Sequence, residues 1–562
     1  MKEFTGQVAS EGLVIGETFV MKAASLEKTA QYENTYETYA EAKEKVKEQL
    51  DQLYEKTLAE IGQAEADIID AQRLMLLDPD FDDAVKDALA VGQTNLVEAV
   101  RQTGETFAKV FENMDNDYFK ARATDVRDFS NRIIDTIQGT FIDFSQMVDK
   151  SVVIGEDITP SQTLSMDQSK IAAFVMSAGS MTGHTSILAR TLGIPSIINA
   201  GAPILEVPTG LQAIVDGKDG TVIIEPTSEQ VDNYQKKFDA IWFERENLEQ
   251  YRGKPSVTKS GKEIKVYANI GSVGDAEKAF AMDAEGSGLF RSEFVYLGRS
   301  TAPSEEEQHD AYLGAARALA KDGKKRPVII RTLDIGADKN VSYLGLEVEA
   351  NPALGYRALR IQLDRADIFE TQLRALYRTA AEQVIEGVNP SEKPNVLDRH
   401  KKFTKKSQIG IMFPMVASHW EVDKALEMCA KVREELKVPE DLLVEVGIMI
   451  ETPAAAIMAD DLAKLVDFFS VGTNDLTQYT LAIDRQGTQK VEKYYDAHHP
   501  ALLRLLENIA KSANESGIWA GICGELGGDL ELTEFFINAG FTELSVAPPK
   551  VLELRQKINS LD

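Results

Sequence analysis

From Lys265 to its C-terminus the chain repeats one pattern, a short apolar run followed by a longer stretch with helical spacing. The runs KVYANI, GSGLFR, PVIIR, QIGIMF, VEVGIMI, VDFFSV, GIWAGI and ELSVA make eight candidate strands. Eight strands alternating with helices predict a (β/α)8 TIM barrel. Between the third and fourth lies the polar segment GVNPSEKPNVLDRHKKFTKKS, part of which reads as an exposed insertion.

The N-terminal half is organised differently. Residues 1–22 alternate and are broken by glycines, as short strands and turns are. From about Ser25 to Gln138 apolar residues recur every three or four positions, which suits a helical bundle. Strand character returns at KSVVIGEDI and continues through KIAAFVM, PSIINA, LQAIVDG and GTVIIEP. The expectation is an α/β multidomain chain: an α/β domain over 1–22 and 140–226, a helical domain inserted at 23–139, a linker helix over 227–260, and the barrel over 261–562. A connecting helix with few apolar anchors would let its flanking domains move.

Composition narrows the partners. A net charge of −29 opposes a nucleic-acid or anionic-membrane surface, because phosphates need concentrated Lys and Arg. A protein partner with a basic face fits that field better. The two cysteines, Cys429 and Cys523, make no disulfide framework, and no apolar run nears the ~18–20 residues of a membrane span. A cytoplasmic protein is expected.

In a barrel, reactive residues gather where strands end. Here GLF is followed by Arg291 and Glu293, and PVII by Arg331, with Asp334, Asp338 and Lys339 beyond. VEVGIMI leads to Glu451, VDFFSVG to Thr473, Asn474 and Asp475, and GIWAGI to Cys523 and Glu525. Five such ends converging on one face predict a site. Glu451 and Asp475 suit a hard cation such as Mg²⁺, which takes one or two carboxylates plus water and substrate oxygens; otherwise they are polar strand ends capping the next helix. Arg291, Arg331, Arg357 and Lys339 suit a phosphate or carboxylate. Together they imply a small phosphorylated acid held through a metal. Cys523 has neither a histidine nor a second cysteine beside it; a thiol with pKa near ~8.5 is mostly protonated at neutral pH and can donate to a carbanion or enolate, with a small buried apolar residue as the alternative. Cys429 lies on a helical pattern and is given no chemistry.

The chain has six histidines, and His184 precedes TSILARTL, which has helical spacing and ends at Gly193 with Pro195 beyond. At a helix start the backbone N–H groups and dipole favour an anion and disfavour imidazolium, leaving the neutral ring that a nucleophile needs. A hydrogen-bonded N-terminal histidine without chemistry is the alternative.

The stretches SMTGHTSILARTLGIPSI, GLFRSEF, RTLDIGADK, NPALGYRALRIQLDR, IMFPM, ETPAAA, DFFSVGTNDLTQYTLAIDR and GICGEL occur in one order along essentially the whole chain. In them the chain resembles the Enzyme I family of the bacterial sugar phosphotransferase system, the phosphoenolpyruvate–protein phosphotransferases. The resemblance implies a phosphohistidine domain carrying a helical carrier-binding insert, then a linker and a barrel that forms a homodimer. It implies that His184 takes the phosphoryl group of phosphoenolpyruvate and passes it to a small histidine phosphocarrier protein. Glu451 and Asp475 would hold Mg²⁺. Arg291, Arg331, Arg357 and Arg485 would bind the substrate, with Asn474 and Lys339 nearby, and Cys523 would protonate the enolate to release pyruvate. In the insert, QRLMLLDPDF and ATDVRD resemble a carrier-docking surface, making Met75, Leu76 and Arg127 candidates, with helix packing as the other explanation.

Where the family reads Gly-Gly-Arg-Thr-Ser-His, this chain has Gly179, Ser180, Met181, Thr182, Gly183 and His184, so the basic residue is replaced by Met181. Two other functions fit less well. A pyruvate phosphotransferase of the phosphoenolpyruvate synthase or pyruvate phosphate dikinase kind also needs a nucleotide-binding domain, for which the N-terminal part has no Gly-rich phosphate loop. A non-catalytic regulatory paralogue would not need the intact barrel set.

Overall fold

The computed structural model of the chain describes residues 2–21, 32–60, 63–90, 94–112, 117–140, 144–156, 158, 160–179, 185–186, 189–190, 193–337, 339, 341–392, 397–484, 491 and 494–562. They form two compact units, Met1–Phe243 and Glu244–Asp562.

The first unit opens with strands β1 (Lys2–Thr5), β2 (Gln7–Ser10) and β3 (Leu13–Val20). The chain then leaves the sheet for helices α1 (Tyr36–Glu60), α2 (Gln63–Leu76), α3 (Pro79–Ala90), α4 (Leu96–Glu112) and α5 (Asp117–Gln138). It returns with β4 (Ser151–Gly155), β5 (Ile171–Met176), β6 (Ser196–Ile198), β7 (Gln212–Asp216) and β8 (Thr221–Ile224). The strand order is β1-β8-β7-β3-β4-β5-β6-β2. β3 and β4 are parallel neighbours, and parallel neighbours need a long crossover; here the whole helical bundle is that crossover. Strand alternation buries both faces: Val152 and Ile154 enter one apolar cluster, Val153 and Phe174 the other. The bundle has its own core, in which the Phe81 ring meets Phe107 and Phe129 edge-on at 5.3 and 5.1 Å. The division between the units falls inside the largely polar helix Ser228–Glu249.

The second unit is a closed barrel of parallel strands. Its order is β9 (Lys265–Ile270), β10 (Ser287–Arg291), β11 (Val328–Arg331), β14 (Ile409–Phe413), β16 (Val446–Ile450), β17 (Phe468–Val471), β18 (Trp519–Ile522) and β19 (Glu543–Val546). These are the eight apolar runs read from the sequence. An apolar shell including Ile411, Ile448 and Leu506 joins strands to outer helices, while Leu289, Ile329, Met412, Met449 and Phe468 fill the interior.

Within the polar stretch 387–406, part is exposed, as expected, and part is docked, with residues 393–396 outside the described ones. It runs between β12 (Val384–Ile385) and β13 (Lys405–Ser407), which join β15 (Leu442–Leu443) in a small sheet. Pro390 is buried and Phe403 is only 9% exposed. Arg399 Nε and His400 Nε2 meet Asp467 Oδ1 at 3.0 and 2.8 Å, and Lys406 pairs with Glu445 at 2.7 Å. Asp467 and Glu445 immediately precede β17 and β16, so the stretch braces the N-terminal end of the barrel, where residues serve stability rather than chemistry.

Candidate active site

At the opposite rim the strand ends enclose a cavity of about 380 Å³, lined by Arg291, Arg331, Lys339, Arg357, Glu451, Asn474, Asp475 and Cys523 among others. Each side chain is delivered by the end of its strand or by the first turn beyond it. Arg291 and Arg331 close β10 and β11, Glu451 follows β16, and Cys523 follows β18. Asn474 and Asp475 sit in the first turn of helix Thr473–Leu481, where the helix dipole favours a carboxylate. The alternative role for Glu451, capping the next helix, is taken by Thr452, whose hydroxyl accepts from the Ala455 N–H. That leaves Glu451 free to face the cavity.

The arginines are held by carboxylates. Asp334 puts Oδ2 2.9 Å from Arg331 and Oδ1 2.9 Å from Arg357, while Glu293 Oε1 takes a 2.7 Å bond from Arg331. Lys339 donates to the Asp334 carbonyl at 3.0 Å. Burial works against the charges of Arg331 and Asp334, but their partners prevail: Arg331 is held above its ordinary range and Asp334 well below the carboxylate range. Arg357 precedes Ala358, whose φ of 53° is left-handed, a strained conformation for alanine held by an N–H bond to the Ile335 carbonyl.

Glu451 is 1% exposed, and its Oε1 accepts the Met415 N–H at 2.6 Å. Burial, then the charges of Asp334 and Asp475, push its carboxyl up to about 8. Among the described residues lining the cavity, four cationic side chains face six carboxyl groups. A phosphorylated acid would not settle there without added positive charge. A divalent cation at Glu451 and Asp475 supplies it and relieves the buried carboxyl, so the donor set fits Mg²⁺. Cys523 is 2% exposed, its Sγ lies 3.5 Å from the Val471 carbonyl, and burial pushes its thiol up to about 12. It is therefore protonated at neutral pH.

His184, Ser180, Met181, Gly183, Arg485 and Asp338 lie outside the described residues. In the bundle, Met75 is half-buried and Arg127 bonds Glu105 and Glu112, whereas Leu76 is wholly inside the core. Leu76 is thus a packing residue and not part of a docking surface. The large apolar side chains exposed at that end of α2 and just beyond it are Leu74 and Leu77, which the motif QRLMLLDPDF contains but its spacing did not single out. Asp334 and Glu293 were visible as charged strand ends, yet their hold on the arginines was not.

Comparison with known proteins agrees with this geometry. The chain matches models of the PEP-utilising enzymes: the PEP-binding domain over residues 245–562, the N-terminal domain over 5–122 and the mobile domain over 147–220. It is 36% identical over 573 residues to the phosphoenolpyruvate-protein phosphotransferase of Bacillus subtilis (strain 168), covering 100% of this chain and 95% of that protein. The namesake of Staphylococcus aureus (strain MSSA476) is 36% identical over 571 residues, covering 100% and 94%. A solution structure of an Enzyme I protein is 31% identical, with 42% of this chain and 99% of that one covered and a TM-score of 0.37. With full-length identity and a barrel rim furnished as described, the chain belongs to the phosphoenolpyruvate-protein phosphotransferase family.

Proposed function

We propose that the chain transfers the phosphoryl group of phosphoenolpyruvate to its own His184 and then to a histidine of a small phosphocarrier protein, releasing pyruvate. The observation that carries this reading is the convergence of buried arginines, a carboxyl pair and a protonated thiol on one cavity. Arg331 and Arg357, fixed by Asp334, would take the phosphate and carboxylate of the substrate, with Arg291, Lys339, Asn474 and Arg485 completing the shell. Phosphoryl transfer is mainly positioning and charge neutralisation, which fixed guanidinium groups provide. Glu451 and Asp475 would hold Mg²⁺, which when bound neutralises charge on the phosphoryl oxygens. As the bridging P–O bond breaks, Cys523 would give its proton to carbon, turning the enolate into pyruvate.

The domain roles follow: residues 1–22 and 140–226 carry the phosphohistidine, 23–139 receive the carrier through the surface around Met75 and Arg127, 227–260 link, and 261–562 bind phosphoenolpyruvate and pair two subunits. No helix among the described residues is long and apolar enough to cross a membrane, in keeping with a cytoplasmic sugar-transport component. The test is pyruvate release from phosphoenolpyruvate by the full chain with a purified bacterial histidine phosphocarrier protein. Release that requires Mg²⁺ and carrier but no nucleotide supports the reading; release that requires a nucleotide contradicts it.

A further inference from the structure

Outside the cavity, the helix Glu305–Ala318 carries a histidine that the chemistry above leaves unused. His309 is 5% exposed, and its Nε2 lies 3.0 Å from the Oε1 of Glu382, the last residue of the helix Ala366–Glu382. A carboxylate only accepts, so Nε2 carries the N–H, and in the neutral ring Nδ1 keeps its lone pair. Nδ1 has no hydrogen-bond partner among the described residues; it lies 3.8 Å from Asp310 Oδ1, too far for a hydrogen bond. A buried acceptor left alone, on a ring oriented by a carboxylate at its other nitrogen, calls for an explanation other than packing.

Helical spacing supplies one. Glu306, His309 and Asp310 stand at i, i+3 and i+4, so two carboxylates and an imidazole share one face of the helix. One ligand atom from each lies within 4.8 Å of the other two. Around a tetrahedral ion with bonds of ~2.0–2.2 Å, neighbouring ligand atoms sit about 3.4 Å apart, so small rotamer changes close the gap. Glu306 and Asp310 are exposed, which leaves room for those changes and for a water on the ion. Glu306 Oε2 accepts from Arg378 at 2.8 Å, and its other oxygen remains for an ion. The carboxylates of Glu305, Glu306, Asp310 and Glu382 outnumber the guanidinium groups of Arg374 and Arg378, which pair with the first two. The face therefore keeps negative charge for a cation.

We propose that His309 Nδ1 and the carboxylates of Glu306 and Asp310 bind Zn²⁺, with water as the fourth ligand. The imidazole selects the ion. A nitrogen donor suits Zn²⁺, whereas Mg²⁺ takes oxygen ligands and keeps several waters. Glu382 is a positioning residue: by accepting the Nε2–H it fixes the tautomer and the ring orientation, as carboxylates behind metal-bound histidines do. The bound ion ties the helix Glu305–Ala318 to the helix Ala366–Glu382 through the imidazole. It takes no part in the chemistry of the cavity.

The test is isothermal titration of Zn²⁺ into the full chain in buffer saturating in Mg²⁺, for wild type, His309→Ala, Asp310→Asn, Glu382→Ala and Glu451→Gln. Wild type and Glu451→Gln are expected to bind the ion alike, since the cavity carboxylates are not its ligands. His309→Ala should bind one Zn²⁺ fewer per subunit. Glu382→Ala should weaken that site by about 10–100-fold, the usual effect of removing the carboxylate behind a metal-bound histidine. Asp310→Asn should weaken it at least as much; its side chain is 72% exposed, so this variant keeps the test open if His309→Ala folds poorly. Wild type that takes up no Zn²⁺, or equal stoichiometry and affinity in wild type and Asp310→Asn, overturns the proposal. Binding lost in Glu451→Gln but kept in Asp310→Asn also overturns it, by placing the ion in the cavity.

Discussion

Asp334 Oδ1 lies 2.9 Å from the Arg357 guanidinium, and the other oxygen of the same carboxylate lies equally close to Arg331. One buried side chain therefore aims both arginines at the cavity. Removing one partner of such a network leaves buried charge uncompensated, at about 3–5 kcal/mol. Asp334→Ala should accordingly lower the melting temperature as well as weaken phosphoenolpyruvate binding, measured by thermal unfolding and by KM. The Asp334 carboxyl is held below its unfolded value, so its stabilisation is complete above about pH 4 and lost as pH falls through the folded value. Wild type should lose stability in that acid window more steeply than Asp334→Asn.

Mg²⁺ binding is expected to raise the melting temperature of the wild-type chain, because a ligand that binds only the folded state stabilises it. Glu451→Gln should abolish that shift while melting no lower than metal-free wild type, since the amide removes a buried carboxyl already pushed up to about 8. An undiminished Mg²⁺ shift in Glu451→Gln would remove this residue from the cation site.

Cys523 should be a poor nucleophile. With burial holding its thiol at about 12, alkylation by iodoacetamide should be slow and should keep rising with pH past the ordinary thiol value of about 8.5 without levelling. Cys523→Ala should slow pyruvate formation severely and leave substrate affinity largely intact. A plateau in the alkylation profile at ordinary thiol pH would contradict the buried, protonated thiol.

Asp467 offers the opposite kind of prediction, since its partners Arg399 and His400 lie at the far end of the barrel. It also accepts the Val446 N–H at 2.9 Å. Asp467→Ala should destabilise the chain by about 1–3 kcal/mol through buried groups left unsatisfied, yet leave KM for phosphoenolpyruvate unchanged. Denaturant unfolding and steady-state kinetics separate the two.

The division between legible and hidden features follows from what each depends on. The eight barrel strands were readable because burial by helices makes each an apolar run, and the rim residues because strands end at one face. The hold of Asp334 and Glu293 on the arginines depends on side chains meeting across strands, which spacing does not encode. The docking of part of 387–406 was hidden for a related reason: Arg399, His400 and Lys406 pair with Asp467 and Glu445 from distant strands, which composition does not encode. Leu76 was misjudged because a motif marks a neighbourhood, while helix phase decides which leucine points inward.

The most direct measurement is the fate of the phosphorus. The full chain is incubated with Mg²⁺ and phosphoenolpyruvate labelled in its phosphate, without nucleotide or carrier, then digested and mapped. The account predicts acid-labile, base-stable label on the peptide containing His184, in step with pyruvate release, and none on His184→Ala. Unlabelled wild-type protein, or label that survives in His184→Ala, would contradict it.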